Sequence, residues 1–152
     1  MRVSAKADYA VRAMIELVAG AEDAPLKGEI VSQSQDIPLR FLENILGELR
    51  HAGLVHSRRG TDGGYWLAKP ADAITVADII RAVEGPLATV RGEPADELDY
   101  ADDAKPLQEV WIALRANIRE VLETVTLADV VSGQLPEPVR NVASQPDVWQ
   151  TR

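Results

Sequence analysis

A change of hydrophobic period between residues 38 and 68 constrains the fold of this chain more than any other feature. From Pro38 onward, Phe41, Leu42, Ile45, Leu46 and Leu49 recur at spacings of three and four, which predicts a helix with one apolar face. Pro38 suits the first helical position, and Gly53 suits the C-cap. Residues 54–59 and 65–68 then have the composition of two strands around a glycine-rich turn, which predicts a hairpin.

The residues before this segment predict two further helices. Ser4 can cap the first, whose apolar stripe is Val3, Ala7, Val11, Met14, Ile15 and Val18. Residues 27–35 predict a second, short helix, and residues 36–38 a tight turn. The order helix, helix, tight turn, helix, hairpin is that of a winged helix-turn-helix, whose third helix enters the DNA major groove.

The second half of the chain is predicted to be helical around one long loop. Thr75 and Asp78 can form a capping box at the start of a fourth helix. The whole chain is therefore predicted to be mainly α with a small β-hairpin wing. The expected division is a head at 1–85, an acidic loop at 86–105, a long helix and a short final helix at 106–133, and a poorly ordered tail at 134–152.

The negative charge is confined to the second half of the chain. The net charge is −8, which would argue against a nucleic-acid partner. Residues 1–70, however, carry nine basic and nine acidic side chains, and residues 50–60 contain basic residues and no acid. A solvated surface loop is one interpretation of this basic stretch, and a DNA-contacting wing is the other.

The outer face of the third predicted helix carries side chains that can read bases. Opposite the apolar stripe lie Arg40, Glu43, Asn44, Gly47 and His51. Arg can bond guanine, Asn can bond adenine, and Glu can accept from cytosine. The alternative is the ordinary wet face of an amphipathic helix. Arg58 and Arg59 beside the glycine-rich tip favour DNA, because arginine is attracted to the minor groove.

Several other classes of function are not supported by the sequence. The chain has no cysteine, which excludes disulfides, thiolate catalysis and cysteine-ligated metal sites, and no motif of an enzyme is present. His51 and His56 are not spaced for a metal site, and Asp96, Asp99, Asp102 and Asp103 do not follow the calcium-loop pattern. No apolar run could span a membrane and no signal peptide is evident, so we expect a cytoplasmic protein.

Five segments resemble one family of bacterial regulators. They are residues 3–13, 37–43, 49–55 and 74–85, and the wing sequence RRGTDGGYWLA at 58–68. On these residues the chain resembles the IscR/BadM-type (Rrf2) family of winged-helix transcription regulators, and the likeness extends over about residues 1–132.

The resemblance implies a homodimeric, sequence-specific repressor or activator, and we expect a repressor. Two such subunits would read a pseudo-palindromic operator. The predicted DNA contacts are Lys27, Gly28, Pro38, Arg40, Phe41, Glu43, Asn44, Arg50, Ser57, Arg58, Arg59 and Gly60. The predicted dimer interface, whose alternative is packing within one chain, is Leu107, Val110, Trp111, Leu114, Ile118, Val121 and Leu122.

The chain departs from this family in the loop before the long helix. Many members bind an iron–sulfur cluster there through three cysteines, whereas residues 92–103 of this chain contain none. We therefore expect no cluster and no other cofactor. The sequence leaves open whether a small-molecule or protein effector controls the chain. The alternative function is a winged-helix protein-interaction module that binds DNA weakly or not at all.

Overall fold

The computed structural model describes residues 2–150, and its elements follow the predicted order. The fold is mainly helical with one two-stranded antiparallel sheet, as predicted. The elements are α1 (Ala5–Leu17), α2 (Gly28–Gln35), α3 (Leu39–His51), β1 (Val55–Arg58), β2 (Gly64–Leu67), α4 (Val76–Glu84), α5 (Pro106–Thr124), α6 (Leu127–Ser132) and α7 (Glu137–Ala143). Met1, Thr151 and Arg152 lie outside the described residues. No described helix is long and apolar enough to cross a membrane.

Helix α1 is capped as predicted but buries a different face. The Ser4 hydroxyl accepts a hydrogen bond from the Ala7 N–H. The buried residues are Ala7, Ala10, Ala13, Met14 and Leu17, whereas Val3, predicted to be in the stripe, is 77% exposed. Three of the five buried residues are alanines, whose small side chains let neighbouring helices approach closely. A pattern that weights only large apolar residues therefore misplaces this face.

The turn between α2 and α3 is held by local hydrogen bonds. The Ile37 N–H donates to the Ser32 carbonyl oxygen, and the Ser32 hydroxyl donates to the Ile37 carbonyl oxygen at 2.6 Å. Pro38 is the N-cap of α3 rather than its first helical residue, because the helical turn begins at Leu39. Of the predicted α3 stripe, Leu42, Ile45, Leu46 and Leu49 are buried.

Phe41 does not belong to the core, contrary to the predicted stripe. Its side chain is 63% exposed, while the four buried residues of α3 are at most 1% exposed. At 100° per residue, Phe41 lies on the flank of α3 rather than on its buried face. Five apolar residues form a wider arc than the core can cover.

The wing is a short hairpin attached to the start of α2. Val55 pairs with Leu67, and Arg58 pairs with Gly64. Leu26 forms a further antiparallel bridge to Tyr65, with N–H to carbonyl oxygen distances of 2.9 and 2.8 Å in the two directions. The bridge fixes the hairpin relative to the helix-turn-helix.

Helix α6 packs into the head, although the predicted head ends at residue 85. The Leu127 N–H donates to the Ile74 carbonyl oxygen, and the Val76 N–H donates to the Val125 carbonyl oxygen. Leu127 is fully buried in the same core as Met14. Capping boxes at Thr75 and Thr126 start α4 and α6 beside each other.

Helix α5 has 19 residues, and none of them is buried in the single chain. Arg81 of α4 pairs with Glu123 of α5, and Arg119 bonds the same carboxylate at 3.0 Å. Hydrogen bonds from Arg119 and then from Arg81 hold the pKa of Glu123 below its ordinary value. This network joins the end of α5 to the head.

The acidic loop is packed against α5. Ala95 and Leu98 are buried, and the Gln108 side chain donates to the Leu98 carbonyl oxygen at 3.0 Å. Trp111 donates to the Tyr100 hydroxyl at 3.0 Å. The two short 3-10 turns of this loop, at Ala95–Glu97 and Asp102–Ala104, are thus held on the long helix.

The segment after α6 differs from the poorly ordered tail predicted for residues 134–152. It contains α7 and a 3-10 turn at Pro146–Trp149, and none of the residues in these two elements is buried. Glu137 and Pro138 in the first turn of α7 are residues that favour a helix start, and the prediction of a poorly ordered tail did not use them.

Candidate nucleic-acid interface

The outward face of α3 carries polar side chains that have no partner among the described residues, with a glycine between them. Arg40, Asn44, Gly47 and His51 follow one another at spacings of four, three and four, and therefore lie along one line of the helix. Arg40, Asn44 and His51 are exposed, and none has a hydrogen bond or ion pair among residues 2–150. A Cβ added at Gly47 would meet nothing within 4 Å. A surface can therefore approach the helix closely at its centre.

The flank of α3 nearest the wing is polar. Glu43 is exposed, and Arg50 Nη1 donates to the Ser57 hydroxyl at 3.1 Å, which joins the last turn of α3 to β1. Glu43, Arg50 and Ser57 share an open cleft with the residues of the wing turn. The predicted contacts on α3 and on the wing therefore border one continuous surface.

The two wing arginines have different environments. Arg58 Nη2 donates to the Asp62 carbonyl oxygen at 3.2 Å, and its guanidinium lies 5.9 Å from the centroid of the Trp66 ring. Arg59 is exposed and has no partner among the residues that the structure describes. Arg58 therefore supports the hairpin, while Arg59 is free to reach a ligand.

Trp66 supports the wing, a role that the sequence pattern did not predict. The ring of His56 packs against Trp66 at 5.7 Å, and the register pairs these two residues directly. Alternation along β1 puts His56 and Arg58 on one face of the hairpin. The strand register would have predicted that Trp66 lies beside His56 and Arg58. The turn residues alone did not determine this register.

Lys27 and Gly28 also differ in how they are placed. Lys27 Nζ donates to the Thr61 carbonyl oxygen at 2.6 Å and to the Gly60 carbonyl oxygen at 3.2 Å, so its charge lies at the wing turn. Gly28 is buried, with Tyr65 and Leu39 at 3.7 and 3.8 Å from the position of an added Cβ. Only its backbone is left for a phosphate contact.

Pro38 and Phe41 border the other flank of α3. Both are exposed, and they share an open groove with Lys6 and Tyr9 of α1. Lys6 Nζ lies 2.8 Å from Glu48 Oε2 across this groove. Helix α3 thus has one polar flank toward the wing and one partly apolar flank toward α1.

The described residues hold no group of three or more His, Cys, Asp or Glu side chains that could bind a metal ion. In the acidic loop, Asp96 pairs with Arg115 at 2.8 Å and Asp102 pairs with Lys105 at 2.6 Å. These carboxylates serve as ion-pair partners and do not converge on a common point.

Comparison with known proteins identifies one family over most of the chain. The profile of the Rrf2 family, described as "Iron-dependent Transcriptional regulator", matches residues 3–133. Rv1287 of Mycobacterium tuberculosis (strain ATCC 25618 / H37Rv), provisionally named an HTH-type transcriptional regulator, is 48% identical over 143 residues, which are 94% of this chain and 89% of that protein.

Two solved structures are similar in sequence and fold. CymR of B. subtilis, titled a global cysteine regulator, superposes with a TM-score of 0.73 at 36% identity and covers 87% of this chain and 97% of its own. IscR of T. potens superposes with a TM-score of 0.68 at 30% identity and covers 100% of this chain and 93% of its own. The similarity therefore includes the head, the acidic loop and α5.

Proposed function

The chain belongs to the Rrf2 family and is a DNA-binding transcription regulator, and we propose that it acts as a homodimeric repressor on a pseudo-palindromic operator. It does so without an iron–sulfur cluster and without catalysing a reaction. Because its partner is the chromosome, its place of action in a bacterium is the cytoplasm.

The proposed DNA contacts rest on one observation. The polar row of α3 and the wing residue Arg59 both lack a partner among the described residues. Arg40 and Asn44 lie in the N-terminal half of α3, the part of a recognition helix that contacts base edges. Their chemistry suits guanine and adenine, and Glu43 can accept from cytosine. Arg59 at the hairpin tip suits the neighbouring minor groove or its phosphates.

The dimer is supported by the apolar surface of α5. Of the seven residues predicted for the interface, Leu107, Val110 and Val121 remain 38%, 54% and 38% exposed, and the other four are only half-buried. A groove of about 560 Å³ runs between Val3 of the N-terminal segment, Ile80 of α4 and Val121 of α5. A second copy would cover this surface by a two-fold contact, in which the same patch serves both subunits.

The residues of the acidic loop do not fit an iron–sulfur cluster. Such clusters are held by thiolates, and the chain has no cysteine. The loop carboxylates are hard ligands, and Asp96 and Asp102 are engaged with basic side chains. Contacts such as Trp111 to Tyr100 can hold the loop in place of a cluster.

The test uses a duplex enriched from a random-sequence library by the purified protein, called the selected duplex below. We expect the affinity for this duplex to fall steeply with salt, with a slope of about −0.9 per phosphate neutralised. Replacing Arg40 and Asn44 together by alanine should reduce the preference for the selected duplex over a scrambled one. Ser34→Ala, an exposed change on α2, is the control.

The competing function predicts a different outcome. If no sequence is enriched and binding does not respond to salt, the chain is a protein-interaction module with a winged-helix fold. An absorption spectrum of anaerobically purified protein tests the cofactor separately, since visible cluster bands would overturn the cluster-free assignment.

A further inference from the structure

Phe41 is an exposed aromatic residue that the core of the protein does not use. It is the only phenylalanine of the chain, and its side chain is 63% exposed. It lies in the first turn of α3, directly after Arg40 and three residues before Asn44. The N-terminal residues of a recognition helix are those that contact base edges. The Phe41 side chain therefore lies at the edge of the surface that α3 would present to DNA.

The surroundings of Phe41 set the chemistry that it can recognise. Phe41 lines an open groove with Tyr9, Ala5 and Ala82 on the α1 side of α3, and Glu43 and Arg50 border the same groove on the wing side. Lys6 lines the same groove, and it is paired with Glu48 at 2.8 Å. On its α1 side, α3 therefore offers the apolar surface of Phe41, while Glu43 and Arg50 on its wing side offer hydrogen bonds.

The major groove of DNA presents one apolar group among its base edges, the C5 methyl of thymine. We propose that Phe41 is a specificity-determining residue that packs against a thymine methyl, beside the base pair that Asn44 reads. The inference rests on the proposed docking of α3 in the major groove. It assigns to this regulator a preference for thymine at one position of each half-site.

The test removes only the methyl group. Each thymine of the selected duplex is replaced in turn by deoxyuridine, which keeps the Watson–Crick pairing. At one position per half-site, we expect the affinity of the wild-type protein to fall about fourfold, the effect of one buried methyl group. The Phe41→Ala variant should bind the unsubstituted duplex more weakly and should not distinguish thymine from uracil at that position.

A matched control separates this contact from a general loss of apolar surface. Ile30 on α2 is also a large exposed apolar residue, at 53% exposure. The Ile30→Ala variant should keep the discrimination between thymine and uracil. Circular dichroism of both variants checks that they fold, and Phe41→Leu, which keeps an apolar side chain, should keep part of the discrimination.

The possible outcomes distinguish a failure of this inference from a failure of the proposed DNA-binding function. If the wild-type protein ignores the methyl at every thymine, or if Phe41→Ala still detects it, the assignment of Phe41 is wrong while salt-dependent binding leaves the regulator function intact. Loss of binding to a protein partner in Phe41→Ala, with unchanged DNA affinity, would also overturn it. If no duplex is enriched, both the inference and the DNA function fail.

Discussion

Two arginines that are neighbours in the wing perform different tasks in this structure. Arg58 bonds the Asp62 carbonyl oxygen and lies over Trp66, whereas Arg59 has no partner among residues 2–150. Their sequence positions make them look equivalent. Only the register of the hairpin, which places Trp66 beside Arg58, separates the structural residue from the residue free to bind.

Replacing each arginine by alanine should therefore give opposite results. Arg59→Ala should reduce DNA affinity and lower the salt slope by about 1, with unchanged thermal stability. Arg58→Ala should lower stability, because it removes a cation–π contact of about 0.5–1 kcal/mol and a hydrogen bond. Anisotropy titrations at several salt concentrations and thermal melts measure both. Lys69→Ala, which removes an exposed charge outside the wing, controls for net charge.

Two glycines provide a second contrast at the scale of single residues. A Cβ at Gly47 meets nothing within 4 Å, whereas a Cβ at Gly63 would lie 2.0 Å from the Arg58 carbonyl oxygen. Gly47→Ala should raise the free energy of unfolding by up to about 1 kcal/mol, because glycine is a poor helix former. Gly63→Ala should lower both stability and DNA affinity by displacing the wing. Urea unfolding measures the free energy of unfolding of both variants, and equal changes in the two would contradict the structure.

Single residues also mark the limit of the sequence analysis. The period of α3 identified its helix and four of its core residues, but it could not show that Phe41 lies beyond the edge of the core. That edge is set by the packing of α1 and α4 against α3, which involves residues far apart in the sequence. Phe41 was nevertheless included among the predicted DNA contacts, a role that stays a prediction.

At the scale of elements, the starts of the helices could be predicted from the sequence because capping is local. Thr75 and Asp78, and Thr126 and Asp129, each form a capping box within four residues. The packing of α6 against the head could not be predicted, since it depends on the bridge between Thr75 and Thr126 and on the burial of Leu127. The predicted head ended at residue 85 for this reason, although α6 completes its core.

The second capping box should make stability depend on pH. The hydrogen bond that the Thr126 N–H donates to the Asp129 carboxylate, and then the contact with the Thr126 side chain, hold the pKa of Asp129 below its ordinary value. The carboxylate thus stabilises the fold at pH values above about 4, the usual pKa of an unfolded Asp, and this contribution is lost as the pH falls through the lowered value. Asp129→Asn should show a flatter decline of stability between neutral and acidic pH.

Urea unfolding at a series of pH values measures this difference. Asp72→Asn, on an exposed residue of the 3-10 turn Ala71–Ala73, is the matched control and should follow the wild-type curve. A decline in Asp129→Asn as steep as that of the wild-type protein would show that the capping box does not contribute in this way.

For the whole molecule, the distribution of charge and of exposed apolar surface matters more than the totals. The net charge of −8 would argue against DNA, but all of the excess acid lies beyond residue 70, and the outward row of α3 and the wing carry basic residues. Much of the apolar surface of α5 stays exposed, and none of its residues is buried among the residues that the structure describes. A two-fold partner would cover this surface and place two heads on one duplex.

Charges introduced on the exposed side of α5 should separate the subunits. Val110→Glu combined with Val121→Glu should give a monomer in sedimentation analysis and should weaken binding to the selected duplex by at least about tenfold, since two linked heads gain effective concentration. Glu120→Gln, on the opposite face of α5, should leave the dimer intact. A wild-type protein that sediments as a monomer would refute this interface.

The most direct test of the account is a hydroxyl-radical footprint of the wild-type protein on the selected duplex, together with the mass of the complex. Two chains should protect two sites whose centres are separated by a multiple of about 10.5 base pairs. Arg59→Ala should lose protection in the minor groove beside each site while the backbone protection on both sides of α3 remains. A single protected site occupied by one chain, or a footprint that Arg59→Ala does not alter, would contradict it.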